Sequence, residues 1–235
     1  MISVIIPAYN EENRIEKTVL AIEGCLRAQK EPFEILVVND GSTDKTASVV
    51  NALENGNIRL LSYEKNKGKG GAVKYGVLFA AGDFICFTDA DLPYPPDNIV
   101  PACQLLKDGY DVVLGRRYQK ENGQKYPWYR TLSSKGSGVF VNLLLGLREK
   151  DTQCGFKAFR YKAAQEIYKR VTLSGWSFDA ESIFIAKKQG YRIGHIDVEL
   201  FYEKKGSKVH IFKDSARFIK DVLAIKKNNK MGLYE

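Results

Sequence analysis

The stretch "DFICFTDADLPYPPD", residues 83–97, decides how this chain is read. Phe84-Ile85-Cys86-Phe87 is a short apolar run of β-strand character, and it stops at Thr88-Asp89-Ala90-Asp91. Pro93, Pro95 and Pro96 follow; they restrict φ, stiffen the turn and reduce the entropy lost in ordering it. In an extended segment residues i and i+2 point the same way, so Asp89 and Asp91 share one side and Ala90 takes the other. Two carboxylates placed like this suit a hard divalent cation, Mg²⁺ or Mn²⁺, held together with substrate phosphates. A solvated strand end also finishes in aspartate, because Asp serves turns. The pair therefore gains its meaning from what surrounds it.

Working outward, the first 115 residues alternate between two periods. Ile2–Pro7, Phe33–Val38, Ile58–Leu61, Phe84–Thr88 and Asp111–Leu114 are apolar, β-branched runs. Between them, residues 11–28, 43–53 and 70–80 carry apolar residues at helical spacing, as in Ile15, Val19, Ile22 and Leu26. Continuous apolar strands alternating with amphipathic helices predict an α/β domain with a mostly parallel sheet covered by helices on both faces. In such sheets ligands bind beyond the carboxyl ends of the strands. The segments expected there are "PAYNEE" after the first strand, Asn39-Asp40-Gly41-Ser42 after the second, Asp89-Ala90-Asp91 after the fourth and Gly115-Arg116-Arg117 after the fifth. Polar groups from separate segments thus converge on one rim, which favours a site over a solvated edge.

Beyond residue 115 the pattern predicts helices over 128–147, 161–169 and 178–189, with short strands in "DTQCGFKAFR" (151–160) and in 191–200. "EKKGSK" (203–208) reads as a basic loop, and 210–227 as an amphipathic helix. No internal repeat or linker is visible. The division expected is a catalytic domain over 1–209 and a basic amphipathic helix and tail over 210–235.

The formal net charge is +8, which calls for an anionic partner such as a phosphate, a membrane surface or nucleic acid. Aromatic residues are not interleaved with Lys and Arg on any one strand face, so no nucleic-acid partner is expected. The four cysteines are scattered without a C-x-x-C pair, as in a reduced, intracellular chain. Two histidines are too few for a His-based zinc site. Met1 runs directly into a strand pattern without a leader. The most apolar stretch, "VFVNLLLGL" (139–147), is nine residues long, against the roughly twenty that a membrane helix needs.

Two further stretches leave alternatives open. Asp40 in "VVNDGSTDKT" is placed to accept hydrogen bonds from a base or ribose, or Asn39-Asp40-Gly41 is a plain turn with Ser42 or Thr43 as helix N-cap. "NKGKGGAVKYG" (66–76) opens a helix and is Gly-rich and basic. It reads either as an anion-binding helix N-terminus or as a solvated loop, and it lacks the spacing of an ATP-binding P-loop.

Taken in order, "SVIIPAYNEE", "VVNDGSTDKT", "NKGKGGAVKYG", "FTDADLPYPPD", "VLGRRY", "DTQCGFKAFR" and "WSFDAE" resemble glycosyltransferase family 2 enzymes of GT-A fold. More narrowly they resemble the dolichyl-phosphate (polyprenyl-phosphate) hexose synthases, and the glucose branch more than the mannose branch. The resemblance covers about residues 2–209. It implies a Rossmann-like single domain and transfer of a hexose from a nucleotide sugar, UDP-glucose or GDP-mannose, to a polyprenyl phosphate with inversion. It places Pro7, Tyr9, Glu11 and Asp40 around the nucleotide base and ribose, and Ala90 near the ribose. Asp89 and Asp91 take the metal and diphosphate, with Arg117 near the donor phosphates. Arg130 and Ser134, in "WYRTLSS", match the positions that hold the acceptor phosphate. Lys208 lies where the family closes a basic loop over the diphosphate, and Trp176 and Asp179 match a motif near the sugar and acceptor. Many relatives have Gln two residues after the second Asp, as a further metal contact. Here that position is Pro93, which leaves more of the metal shell to water.

The implied chemistry agrees with the residues present. A phosphate monoester has its second pKa near about 6, so the nucleophile is already largely ionised at neutral pH and histidine is not needed as a base. The departing diphosphate does need charge stabilisation. A transferase acting on a saccharide hydroxyl instead would need a carboxylate base, for which Asp151 or Asp179 is available. The helix over 210–227 carries Lys213, Arg217, Lys220, Lys226 and Lys227 beside its apolar stripe. It is expected either to dock on the domain or to lie on an anionic bilayer, placing the protein peripherally on the cytoplasmic face of a membrane.

Overall fold

The computed structural model describes residues 1–118, 128–201 and 211–235, and within the helices over 128–145 and 211–230 side chains only from 138 and 216 onward. Seven strands form one sheet: β1 (Ile2–Ala8), β2 (Phe33–Asp40), β3 (Ile58–Tyr63), β4 (Phe84–Phe87), β5 (Val112–Tyr118), β6 (Lys157–Arg160) and β7 (Ile193–Glu199). Their spatial order is β3-β2-β1-β4-β6-β5-β7. Every neighbouring pair is parallel except that β6 runs antiparallel to both β4 and β5. Successive strand residues face opposite layers. Ile5, Leu36 and Val38 enter one apolar layer, and Val4, Ile6, Ile35 and Val37 enter the other. Burial on both faces is why these strands are apolar without alternation.

Three helices close the second layer: α1 (Ile15–Ala28), α2 (Thr46–Leu53) and α4 (Ile99–Lys107). The first layer is closed by α3 (Lys69–Phe79), α5 (Trp128–Leu145), α6 (Tyr161–Arg170), α7 (Phe178–Lys188) and α8 (Ile211–Lys230). Of the two fates open to the C-terminal helix, docking is what the structure shows. Val222, Ile225 and the penultimate residue Tyr234 are fully buried in the core shared with α3, α6 and α7.

Pro7 lies in a central strand, where a missing N–H normally costs a ladder bond. The Ile5 carbonyl accepts the Thr88 N–H on the β4 side, and two residues further Pro7 faces that same side. The β4 register has already ended at Ile5–Phe87, so no partner is lost.

Several boundaries differ from the sequence reading. Gly115-Arg116-Arg117 does not follow β5 but belongs to it, because β7 continues as a partner out to Tyr118–Glu199. Neither Ser42 nor Thr43 caps α2. Asp44 Oδ1 accepts the Thr46 N–H at 2.9 Å instead, and α2 starts correspondingly late.

Candidate active site

The carboxyl ends of β1, β2, β4, β5 and β7 and the start of antiparallel β6 meet on one rim. There Asp89 and Asp91 leave β4 in a tight turn: the Leu92 N–H bonds the Asp89 carbonyl at 3.0 Å, and Leu92 sits at φ +45°. That is an uncommon conformation for a bulky side chain. Thr18 of α1 donates to the Ala90 carbonyl at 2.7 Å, which ties the turn to the helix beneath it.

Asp91 reaches solvent at the rim. Desolvation in the crowded site, then the charge of Asp89, then that of Glu11 push its pKa up to about 6, against the opposing pull of its own backbone N–H and of Lys69. Lys69 Nζ binds Asp89 Oδ1 at 2.5 Å. Burial works against the Lys69 charge, yet Asp89, Asp179 and Asp91 together hold its pKa above the ordinary lysine value. One ammonium thus faces several carboxylates, and the surplus negative charge on hard oxygens fits a divalent cation. No group of three or more His, Cys, Asp or Glu among the described residues is arranged to hold a metal. Asp89 and Asp91 are the carboxylates here that could hold such an ion, with the rest of its ligands supplied from outside the chain.

The segment after β1 is zipped onto the segment after β2. The Asn10 N–H bonds Ser42 Oγ at 3.0 Å, Asn10 Oδ1 accepts the Thr43 N–H at 2.8 Å, and the Glu11 N–H bonds Thr46 Oγ1 at 2.8 Å. Asn10 takes a positive φ of 54°, which Asn tolerates better than most residues. The β1–β2 register, which ends at Ala8–Asn39, leads this segment past the buried Asp40. Oδ1 of Asp40 accepts the Tyr63 hydroxyl at 2.8 Å and the Lys67 N–H at 2.6 Å. Burial and that bond to Asp40 raise the Tyr63 pKa, so the phenol stays a neutral donor. Asp40 is thus held in place as more than a turn residue.

The Gly-rich stretch is exposed over residues 64–67 and packed at its helical end. Gly68 at φ +82° brings the backbone against Ser174. The Ser174 carbonyl accepts the Gly70 N–H at 2.8 Å and the Gly71 N–H at 3.4 Å, while the Gly68 N–H goes to Asn66 Oδ1. The Gly70 and Gly71 N–H groups are occupied internally, and what the loop delivers to the rim is the Lys69 ammonium. Lys69 also lies 5.3 Å from the centre of the exposed Trp176 ring, a cation–π distance. Gly155, in the turn before β6, is backed directly by Asp89: a Cβ there would collide with Asp89 Oδ2 and approach Lys69 Nζ.

Two more ion pairs complete the rim. Arg117 grips Asp151 with Nε at 2.6 Å and Nη2 at 2.8 Å, and its own backbone N–H adds a bond at 3.2 Å. Burial opposes both charges, yet the pairing raises the Arg117 pKa and lowers that of Asp151. Asp179, at the start of α7, is buried and ion-paired with Lys157, whose ammonium also donates to the Cys154 carbonyl at 2.7 Å. Lys157 stands on β6 opposite Phe87 and Leu114.

Asp89, Asp91 and Asp179 are thus brought together around Lys69, Trp176 joins them, and Glu11 acts on Asp91. Asp40 lies beside the Tyr9–Glu11 segment, and Arg117 on the β5 side. Arg130 and Ser134 sit four apart on α5, with side chains outside the described residues; Lys208 lies outside them altogether. Sequence reasoning missed Lys69 and Lys157 and saw Asp151 only as a base. A signal existed for Lys157: a lysine inside "GFKAF", in a strand buried on both faces, needs an anion.

The architecture is that of known sugar-transfer enzymes. The chain superimposes on glucosyl-3-phosphoglycerate synthase from Mycobacterium tuberculosis, crystallised with uridine diphosphate, with a TM-score of 0.71 and 21% identity over 96% of this chain and 79% of that one. Mannosyl-3-phosphoglycerate synthase from Rubrobacter xylanophilus gives 0.71 and 18%, covering 99% and 75%. At those identities the likeness establishes the fold alone, which is GT-A. Residues 3–168 match the family model described as Glycosyl transferase family 2, and the chain belongs to that family. Among similar sequences, dolichyl-phosphate beta-glucosyltransferase of Dictyostelium discoideum is 32% identical, covering 100% of this chain and 76% of that protein. The Homo sapiens protein of the same name is 30% identical, covering 96% and 74%.

Proposed function

We propose that this glycosyltransferase moves glucose from UDP-glucose to dolichyl or a related polyprenyl phosphate with inversion, yielding a β-linked lipid-phosphate sugar. One observation carries the acceptor assignment. Asp151 and Asp179, the carboxylates that a hydroxyl acceptor would need as base, are each held in an ion pair, by Arg117 and Lys157. A phosphate acceptor needs no base, since it is already largely ionised at neutral pH. The names of the relatives favour glucose over mannose, and so UDP-glucose over GDP-mannose as donor.

In this reading Pro7, Tyr9, Glu11 and Asp40 receive the base and ribose, with Ala90 against the ribose. Asp89 and Asp91 hold Mg²⁺ or Mn²⁺, which when bound neutralises charge developing on the departing diphosphate. Lys69, Arg117 and Lys208 add fixed positive charge there. Trp176 and Asp179 border the sugar, and Arg130 and Ser134, sharing a helix face, take the acceptor phosphate. Arg130→Ala should raise KM for a short polyprenyl phosphate about tenfold or more and leave KM for UDP-glucose within about twofold, as loss of a charge-assisted phosphate contact would. Equal effects on both substrates would remove Arg130 from the acceptor site. The acceptor class itself is tested by offering lipid phosphate and free saccharides in parallel: transfer to saccharides alone overturns the reading.

No helix among the described residues is long and apolar enough to cross a membrane; in this reading the domain meets its lipid acceptor at a membrane surface. The outward side of α8 exposes Ile219 and Leu223 beside Lys220, Lys226, Lys227 and Lys230, and α5 exposes Val139 and Leu143, the last at 81%. Exposed apolar side chains among lysines suit an anionic leaflet such as the cytoplasmic one, each cation near the surface adding about 1 kcal/mol. The protein should sediment with anionic vesicles at low salt and be released by high salt. Ile219→Ser combined with Leu223→Ser should weaken this about tenfold; unchanged sedimentation would show that α8 is not the anchor. Cutting the chain before α8 is a poorer test, because it opens the core around Val222 and Ile225.

A further inference from the structure

We propose that α8 and the C-terminal segment are a working part of the active site, in which Asp221 and Tyr234 are positioning residues that hold the 171–177 segment and, through it, Lys69 against Asp89. The proposal rests on reading the Lys69–Asp89 cluster as the donor site.

The segment between α6 and α7 has no regular structure of its own, yet the site depends on it twice. The Ser174 carbonyl anchors the first turn of α3, from which Lys69 reaches Asp89 at 2.5 Å. Trp176 lies beside the Lys69 ammonium. Loops without internal bonding wander unless something ties them down, and what ties this one down comes from the C-terminus. Asp221 of α8 accepts the Ser177 hydroxyl at 2.8 Å. The Arg217 guanidinium lies against Gly175, where an added Cβ would stand 3.6 Å from Nη2. Asn228 donates to Thr172 Oγ1 at 3.0 Å.

Tyr234 donates its hydroxyl at 2.6 Å to Glu181, a buried carboxylate that also accepts Thr172 N–H, Thr172 Oγ1 and Leu173 N–H. Chain termini usually fray, but here the penultimate side chain is fully buried and bonded to the group that orders residues 172 and 173. The C-terminal element therefore grips both ends of the segment. Small displacements of a charge in such a site are costly, on the order of a hundredfold in rate for about 1 Å.

The test uses the full chain carrying Trp128→Phe, which leaves Trp176 as the remaining one of two tryptophans. In that background Asp221→Ala should shift Trp176 emission and increase its quenching by acrylamide. It should also lower kcat/KM for UDP-glucose about tenfold or more, with KM for the lipid phosphate changed less than about twofold. Asp221→Asn, which can still accept the Ser177 hydroxyl, should restore both readouts. Ser177→Ala should match Asp221→Ala, and the double variant should be no worse than either single one; Ser177→Ala also carries the test if Asp221→Ala does not fold. Lys17→Ala, on the exposed side of α1, serves as the unaffected control.

Wild-type emission and donor kinetics in Asp221→Ala and Ser177→Ala would overturn the proposal. So would losses that follow a fall in Tm, leave Trp176 emission unchanged and are not restored by Asn. The emission readout needs no substrate, so it still decides the matter if the donor proves to be a different nucleotide sugar.

Discussion

Asp91→Ala is expected to reduce hexose transfer by about a thousandfold or more while leaving folding stability within about 0.5 kcal/mol of wild type. The two effects separate because of how Asp91 is placed. It reaches solvent at the rim, while desolvation in the crowded site, then Asp89 and Glu11, push its pKa up to about 6, so in the metal-free protein its charge adds little to the stability of the fold. Removing it relieves repulsion and breaks no buried pair. Strain of this kind is kept at functional sites and offset elsewhere. Initial rates with Mn²⁺ present, alongside a urea unfolding curve, check both halves. A variant that transfers sugar at the wild-type rate would dismiss Asp91 as a metal ligand.

Lys157→Met is expected to do the reverse and cost about 3–5 kcal/mol of stability, because it leaves Asp179 as an uncompensated buried charge. Lys157 and Asp179 are among the most deeply buried charged groups in the chain, and their ion pair joins β6 to α7. Replacing both partners, as Lys157→Met with Asp179→Leu, should recover most of the loss, since an apolar pair of similar volume is commonly neutral. That double variant should remain inactive if Asp179 contributes charge near the sugar. Equilibrium urea unfolding at unchanged m-value is the measurement. A loss below about 1 kcal/mol for Lys157→Met would mean that Asp179 finds another partner or takes up a proton.

Much of the fold can be read from the chain because its signals are local. Apolar runs without alternation marked β1, β2 and β4, and helical spacing marked α1, α3 and α7. Asp89-Ala90-Asp91 was recognisable as a strand end because three prolines follow it. What could not be read depends on contacts between distant segments. Nothing in "CGFKAFR" says that β6 inserts antiparallel between β4 and β5, since strand pairing is decided by the whole sheet. Arg116 and Arg117 were placed beyond β5 because charged residues resemble a strand end, but β7 extends the ladder past them. The ion pairs Lys69–Asp89, Lys157–Asp179 and Arg117–Asp151 join segments that only the folded rim brings together. Asp151, one of two carboxylates that read as available bases for a hydroxyl acceptor, is paired with Arg117 from a segment distant in sequence. The amphipathic pattern of α8 was visible in sequence, but an apolar stripe reads alike whether it meets a bilayer or a core. The structure divides it, with Val222 and Ile225 buried and Ile219 and Leu223 exposed.

The most direct measurement is to incubate the full chain with Mn²⁺, UDP-glucose and a short polyprenyl phosphate, and to analyse the lipid fraction by mass and by anomeric proton coupling. The expected result is a β-linked glucosyl lipid phosphate formed together with an equal amount of UDP, and absent with Asp91→Ala. Release of UDP without any glucose on the lipid, or a glucosyl lipid of α configuration, would contradict the proposed function.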